Sequence, residues 1–397
     1  MRAALFATVA LFVAPMAYAQ TNNQYQSGNA TATTTVDVGD AQAAGATAVA
    51  SGNASTAVNE DSDATFTNNQ HMDGAANANA DATVWHAEGN VAITSAAVGN
   101  GTTATTENGD LDFSSGQASH NDASATVTFR GAESVNGATS ASASGNVAAV
   151  SADHGQARAI VVQESTGNVS AVSEADHGVV AHQAVSAAIA SANNLSVGGE
   201  TATVLVNATQ TALGDSVSAR SDLYAGYVTD VSGNATANAN AATIDNQWGY
   251  VNARVNQSAT ANVTADSYVT LSGDFLGFGS AGAYGVGNQV IVSNVGSDTA
   301  MDVAQDNAGN VYANAALSAE GGDAALASAA AYGNSVSASL CAYCDESGPS
   351  LTASSDQVNT GDVNARSTVV SPRAHTVAAT STAIGNAATY QVSGPTN

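Results

Sequence analysis

Hydrophobic and polar residues alternate along most of this chain, and the alternation is clearest in residues 251–265. Small apolar side chains such as Val251, Ala253 and Val255 take almost every second position there, with Asn, Ser, Thr and Arg between them. A period of two is typical of a β-strand with one buried face, whereas a helix has a period near 3.6. The alanine-rich stretches 179–192 and 324–331 have helical propensity, but they keep the spacing of the other segments and are predicted as strands.

Glycine followed by asparagine recurs between the alternating segments, and such pairs favour tight turns, often at positive φ. Two types of turn alternate. In the first type a Gln precedes the pair and Val-x-Ala follows it, and in the second type small residues precede the pair. The predicted turn residues are Gly167, Asn168, Gly309 and Asn310 in the first type, and Gly52, Asn53, Gly145, Asn146, Gly333, Asn334, Gly385 and Asn386 in the second.

The second type of turn returns about every 48 residues when Asn193 and Gly233 are included, which gives a double repeat with a single unit near 24 residues. A unit of that length suits two strands and two turns. We therefore predict an all-β fold, a β-solenoid of about 16 coils of roughly 24 residues and about 75 Å in length, in which each coil buries its side chains by stacking on the next. Stacked Asn side chains at equivalent turns are expected to form amide ladders.

Two stretches depart from the period and are predicted as loop insertions. The first is near residues 271–285, where Phe275 and Phe278 are expected to be exposed. The second is near residues 341–349 and contains Cys341 and Cys344. Because the chain has no other cysteine, a local loop disulfide between these two is predicted, with half of a zinc site or thiol exchange as alternatives.

The charge balance excludes several classes of protein. The 397 residues include 7 Lys+Arg and 33 Asp+Glu, for a formal net charge of -26, and every one of the seven cations is an arginine. So acidic a chain is not expected to bind nucleic acid. Without lysine it supports neither a Schiff-base enzyme nor a P-loop NTPase.

The first residues predict export from the cell. Arg2 precedes an apolar stretch that ends near Pro15, and small residues around Ala19 fit a cleavage site, so residues 1–19 are predicted to be a signal peptide and residues 20–397 the solenoid. No later stretch reaches the roughly 20 apolar residues of a membrane span. The exported chain is therefore expected to carry no anchor of its own.

Few residues suggest binding chemistry. The seven histidines form no recognised ligand motif, so no metal and no cofactor are predicted, and no catalytic residue is found. Arg220, Arg254 and Arg366 each follow a Val-x-Ala and are candidates for contact with an anionic glycan. Phe275 and Phe278 are the other candidate binding residues. The alternative is that each arginine offsets a neighbouring carboxylate on an acidic surface.

The Gln and Gly-Asn repeat, together with the predicted signal peptide, resembles curlin-type secreted amyloid subunits. The alanine-, asparagine-, glycine- and threonine-rich composition and motifs such as Gly145-Asn146-Val147-Ala148 more closely resemble the holdfast anchor proteins of stalked bacteria, especially the larger D-type member. The resemblance implies an extracellular component, associated with the outer membrane and exported through a curli-like channel. It implies as partners an adhesive polysaccharide, other anchor subunits and further copies of the chain.

Two other functions remain open from the sequence. An acidic surface-layer or adhesin passenger protein could have the same fold. A polysaccharide-modifying β-helix enzyme is a remote alternative, because cutting an acidic glycan requires a cluster of cations and the arginines are dispersed.

Overall fold

The computed structural model describes residues 19–341 and 348–394. Within these residues the chain forms twenty β-strands and no helix, joined in one sheet by parallel pairings. The predicted all-β solenoid is confirmed. The predicted signal peptide and Cys344 lie outside the described residues, apart from Ala19, so cleavage before Gln20 and the disulfide stay predictions.

The strands stack in three sets, each of which receives one segment from every coil. Set I comprises β1 (Ala19–Gln26), β4 (Ala64–Met72), β7 (Leu111–Ser119), residues 157–165 of β8 (Ala123–Ser165), residues 204–212 of β9 (Val169–Ala212), β12 (Val251–Ala259), β15 (Thr299–Asn307) and β18 (Leu351–Asn359). Set II comprises β2 (Ala30–Ala41), β5 (Ala76–Ala87), residues 123–133 of β8, residues 169–179 of β9, β10 (Ser216–Tyr227), β13 (Asn262–Leu271), β16 (Val311–Ser318) and β19 (Val363–Val370). Set III comprises β3 (Ala44–Glu60), β6 (Asn90–Glu107), residues 136–153 of β8, residues 183–200 of β9, β11 (Asp230–Gln247), β14 (Phe278–Val295), β17 (Ala324–Cys341) and β20 (Thr376–Ser393).

One coil passes once through each set and therefore takes the whole double repeat. Val217 pairs with Val263 and Val231 pairs with Gly279, the corresponding residues of the next coil. The described chain thus forms eight coils of about 47 residues, where the sequence predicted sixteen of 24. At about 4.8 Å for each of seven steps the stack is about 34 Å tall, less than half the predicted length.

The 24-residue period corresponds to one half of a coil, because each coil encloses two separate apolar columns. The first core column lies between set II and the leading half of set III, and the second lies between set I and the trailing half of set III. Set III crosses from one column to the other between Ala143 and Ala148, and set I crosses between Ala208 and Ala212. Two similar halves per coil give the sequence two similar units.

Two ladders of buried amides stand where the strands cross between the core columns, so the predicted Asn ladder is confirmed. In each ladder the side-chain amides of successive coils hydrogen bond to one another at 2.7–2.9 Å. The Asn ladder comprises Asn53, Asn100, Asn146, Asn193, Asn240, Asn288, Asn334 and Asn386. The Gln ladder comprises Gln24, Gln70, Gln117, Gln163, Gln210, Gln257, Gln305 and Gln357. The sequence analysis placed Gly233 in this series of turns, but the residue that stacks on Asn193 in the next coil is Asn240.

The Gly-Asn pairs occupy two different corners of the coil. Those at Gly167 and Gly309, each followed by Asn168 or Asn310, lie between a set I and a set II segment. The pairs within set III lie inside continuous strands, at the corner where the burial alternation changes phase; these pairs are Gly52–Asn53, Gly145–Asn146, Gly333–Asn334 and Gly385–Asn386.

Close approach of a neighbouring coil, and not positive φ, favours glycine in most of these pairs. Among the described glycines only Gly155, Gly296 and Gly348 have positive φ. A Cβ on Gly145 would lie 2.6 Å from the carbonyl oxygen of Ala192 in the next coil.

The two predicted loop insertions differ from each other. Near 271–285, β13 ends at Leu271 and β14 begins at Phe278, so the break covers only residues 272–277 and the rest of the predicted loop is strand. Near 341–349, most of the segment lies outside the described residues. The separation between paired residues rises there to 52, as between Gln305 and Gln357.

Both ends of the stack present a coil with one unpaired edge in the described chain. Strands β1 to β3 form the first end, and β18 to β20 form the other. The inward positions of β1 and β18 are only half-buried, whereas the equivalent positions of β7 in an inner coil are fully buried. The main-chain groups of these edges are therefore open to pairing with another strand.

Candidate functional site

The outward face of set II brings together two of the arginines selected from the sequence. Arg220, Asp266, Asn314 and Arg366 occupy the same position on four successive coils, because each pairs in register with the next. Arg220 and Arg366 are therefore three coils, or about 14 Å, apart on one polar column.

Around Arg220 this face carries three tyrosines on three successive coils. The Arg220 guanidinium lies 5.6 Å from the ring centroid of Tyr268, and Asn314 Nδ2 donates a hydrogen bond of 2.9 Å to the Tyr268 hydroxyl. Tyr224 and Tyr312 are each 39% exposed. We call this surface the tyrosine patch, and it comprises Arg220, Tyr224, Asp266, Tyr268, Tyr312 and Asn314.

The arginine of the tyrosine patch is paired with a carboxylate just outside the patch. Arg220 donates a hydrogen bond of 2.8 Å to Asp222, and this contact raises the pKa of the guanidinium. Partial burial raises the pKa of the Asp266 carboxyl. The patch thus offers aromatic rings flanked by fixed hydrogen-bond donors and acceptors, a combination common at recognition surfaces.

The other candidates from the sequence lie elsewhere. Arg254 is on β12 in set I, with its Nε 3.6 Å from Asp302. Phe275, which was expected to be exposed, is only 2% exposed and belongs to the first core column. Phe278 is 44% exposed at the start of β14. The expectation for Phe275 was wrong because the short connection folds inward and covers the core.

The alternative interpretation of the arginines, pairing with a neighbouring carboxylate, is observed at Arg220 and Arg254.

Cys341 ends β17 and is half-buried. No helix long and apolar enough to cross a membrane occurs in residues 19–341 and 348–394.

A second polar cluster, which the sequence reasoning missed, lies at the end of set I. His71, Asp73 and His120 present side-chain donor atoms that all lie within 4.8 Å of one another. The sequence feature that could have revealed this cluster is the spacing of Asp73 and His120, which are 47 residues apart and therefore one coil apart. Recognition of the cluster required the true length of a coil.

Comparison with known proteins decides the family. The family model described as HfaD, holdfast attachment protein D, matches residues 38–310. The chain belongs to the HfaD family. No curated protein and no solved structure matches the chain.

Membership of the HfaD family implies a role in holdfast attachment, association with holdfast material and the envelope, and a location at the cell surface or envelope. The residues matched to HfaD include Arg220, Tyr224, Asp266 and Tyr268 of the tyrosine patch. Tyr312 and Asn314 follow the matched region by a few residues, on the next coil of the same face.

Proposed function

We propose that this protein is a secreted, non-enzymatic anchor that joins the adhesive holdfast polysaccharide to the cell envelope. The match to HfaD over residues 38–310 carries the proposal. Export is proposed to follow removal of residues 1–19 and to use a curli-like outer-membrane channel. A mature N-terminus at Gln20 and loss of the protein from the surface of cells without such a channel would support this route.

The tyrosine patch is the proposed contact with the polysaccharide. Its rings are rigid and partly exposed, so they can stack on the apolar face of a sugar at small entropic cost. Arg220 and Asn314 already hold Tyr268 in place, which reduces the ordering required on binding. The three tyrosines lie on successive coils at different positions along the strands, since Tyr268 pairs with Asp222 and Tyr312 pairs with Thr264. They form a diagonal row along which an extended chain of sugars could lie.

The charge of the protein favours some glycans over others. With a formal net charge of -26 the surface repels polyanions, and a polysaccharide that is uncharged or carries amino groups avoids this repulsion. We expect weaker binding to a polyanion such as alginate than to the polysaccharide shed by cells that lack the protein.

The test compares the polysaccharide binding of variants at one tyrosine and two arginines. Co-sedimentation of the mature protein with shed holdfast polysaccharide is measured for the wild type, Tyr268→Ala, Arg220→Ala and Arg254→Ala. Removal of one anchoring aromatic typically costs 1–2 kcal/mol, so Tyr268→Ala should bind about 10-fold more weakly. Arg254→Ala is the matched control, since this arginine also faces an aspartate but lies on set I.

Equal binding by all four proteins would refute the role of the patch. In cells, expression of Tyr268→Ala in place of the wild type should cause shedding of the adhesive. Retention of the adhesive by cells with no copy of the gene would refute the anchor function itself. Circular dichroism of each variant shows that a loss of binding does not come from misfolding.

Self-association through the end coils, in an amyloid-like polymer, is the second part of the proposal. In the Gln ladder each side chain donates toward the first coil, as Gln70 does to Gln24. In the Asn ladder each donates toward the last coil, as Asn334 does to Asn386. Stacked head to tail, the first coil of one copy therefore meets the last coil of another with a donor facing an acceptor in both ladders.

Sizing under mild conditions tests this assembly. The wild type should form high-molecular-weight species, and Gln357→Arg should shift the distribution toward monomers because it places a charge at the last coil. Gln163→Arg is unsuitable because that side chain is buried; Arg366→Ala, on the outward face, is the control that should still assemble. A monomeric wild type would refute self-association and leave binding to the polysaccharide untouched.

A further inference from the structure

Three potential metal ligands meet on the outside of the second and third coils. Asp73 directly follows β4, and His120 directly follows β7, so the two hold the same position on neighbouring coils. His71 lies two residues before Asp73 and faces the same side of the strand. The Asp73 Oδ1 atom is 2.8 Å from His71 Nε2 and 3.1 Å from His120 Nδ1.

We propose that His71, Asp73 and His120 form a binding site for a divalent transition metal ion, with Zn²⁺ as the reference ion. Two imidazoles and one carboxylate are a common ligand set for such ions, and the three donor atoms all lie within 4.8 Å of one another. Small side-chain adjustments bring the three atoms around one ion.

Neighbouring groups orient the ligands as the outer partners of a metal site do. The Tyr25 hydroxyl donates to Asp73 Oδ2, which leaves Oδ1 directed at the imidazoles. The Tyr25 ring stacks on His71, with centroids 5.2 Å apart and planes inclined by 10°. Glu164 Oε1 is 4.0 Å from His120 Nε2. When His120 Nδ1 binds the ion, the ring proton is held at Nε2 and faces this carboxylate.

The ligand site is open on one side. A surface groove of about 320 Å³ runs beside it, lined in part by His71, Gln117 and Glu164. The three ligands are roughly 40% exposed, so a metal ion can enter and keep a water molecule as an additional ligand. The ion would link two coils near the first end of the solenoid.

The other histidines on the surface provide controls. His86 Nδ1 lies 3.0 Å from Glu133, and His375 Nδ1 lies 3.3 Å from Asp323. Each is a single histidine beside one carboxylate, and neither belongs to a group of three ligands in the part of the chain that the structure describes. Neither pair is expected to hold an ion at micromolar concentration.

Isothermal titration with Zn²⁺ tests the site on the mature chain, without a polyhistidine tag and after treatment with EDTA. Cys341 and Cys344 are changed to serine so that thiolates cannot bind the ion. We expect one ion per chain, at least a 10-fold loss of affinity in His120→Ala and in Asp73→Asn, and no change in His86→Ala. Zn²⁺ should also raise the Tm of the parent and not that of His120→Ala.

Binding that is absent, or that His120→Ala leaves unchanged, would overturn the proposal. X-ray absorption of the Zn²⁺-loaded parent gives a second measurement that does not require the variants to fold. The expected spectrum has nitrogen and oxygen neighbours and the outer scattering of two imidazoles. A spectrum without imidazole scattering would place the ion elsewhere and refute the assignment.

Discussion

Asn146 donates its side-chain amide to the side-chain oxygen of Asn193, one coil and 47 residues further along, at 2.8 Å. The same amide also donates to the main-chain carbonyl of Glu164 at 2.7 Å, on the set I strand opposite. Both hydrogens of the amide are therefore used. Repetition of this geometry joins neighbouring coils and holds the two sides of each coil together where the apolar columns separate.

The first prediction concerns this buried ladder. Asn146→Ala removes the acceptor for Asn100 and the donor for Asn193, and leaves buried polar groups without partners. An unsatisfied buried group typically costs 1–3 kcal/mol, so we expect the free energy of unfolding to fall by about 3 kcal/mol. Chemical denaturation measures the loss. Asn252→Ala, at an exposed strand position, is the control and should change stability by less than about 0.5 kcal/mol.

The sequence alone identifies the strands, the solenoid and the Asn ladder, because the alternation and the period can be seen in the order of residues along the chain. The sequence does not identify which strands pair with each other. Asn146 pairs with Asn193 and not with a residue about 24 positions away, since the two halves of a coil lie side by side and only whole coils stack. The coil length, and with it the height of the stack, therefore required the structure.

For the candidate sites, too, some features could be predicted from the sequence and others required the structure. Arg220 and Arg366 fall on one column because they have the same place in the repeat, which the sequence displays. Arg254 has a similar local motif but follows the corner at Trp248, which belongs to another side of the coil. Phe275 was misjudged because a short break between strands looks like a loop whether it points outward or inward.

The second prediction concerns the glycine at a corner between set I and set II. A Cβ on Gly167 would lie 2.2 Å from the carbonyl oxygen of Asn121 in the preceding coil. Because main-chain atoms cannot move aside cheaply, Gly167→Ala should destabilise the protein by about 1–3 kcal/mol. Gly39→Ala is the control, since nothing lies within 4 Å of that Cβ. Equal midpoints of thermal unfolding for the two variants would contradict this explanation.

The third prediction concerns a corner where the chain does adopt positive φ. Asp61, Asn108, His154, Thr201 and Trp248 occupy this corner in successive coils, with φ between 52° and 61°. A β-branched residue is disfavoured there, whereas Asn tolerates the left-handed conformation. Thr201→Asn should therefore raise the free energy of unfolding by up to about 1 kcal/mol.

The comparison variant for this corner is Asn108→Thr, which makes the reverse change two coils away in the same column. It should lower stability by a similar amount, and both effects are measured by thermal unfolding at one pH. A stabilised Asn108→Thr, or a destabilised Thr201→Asn, would show that contacts between coils outweigh backbone strain at these positions.

The last prediction concerns the buried imidazole of His177. The ring is 1% exposed, packs 4.7 Å from Phe129 and leaves Nε2 without a hydrogen-bond partner among the described residues. Burial lowers the pKa of His177 from 6.5 to about 4. Between these two values the unfolded chain binds a proton that the folded chain does not, so stability falls as the pH is lowered through this window.

A shift of this size corresponds to about 3 kcal/mol at most, all of it lost once the pH reaches about 4. His177→Leu replaces the titrating imidazole with an apolar side chain of similar size. The difference in unfolding free energy between wild type and variant should be constant above pH 7 and should move in favour of the variant between pH 6.5 and 4. Because every other titrating group is common to both proteins, parallel pH profiles would mean that the imidazole becomes hydrated in the folded state.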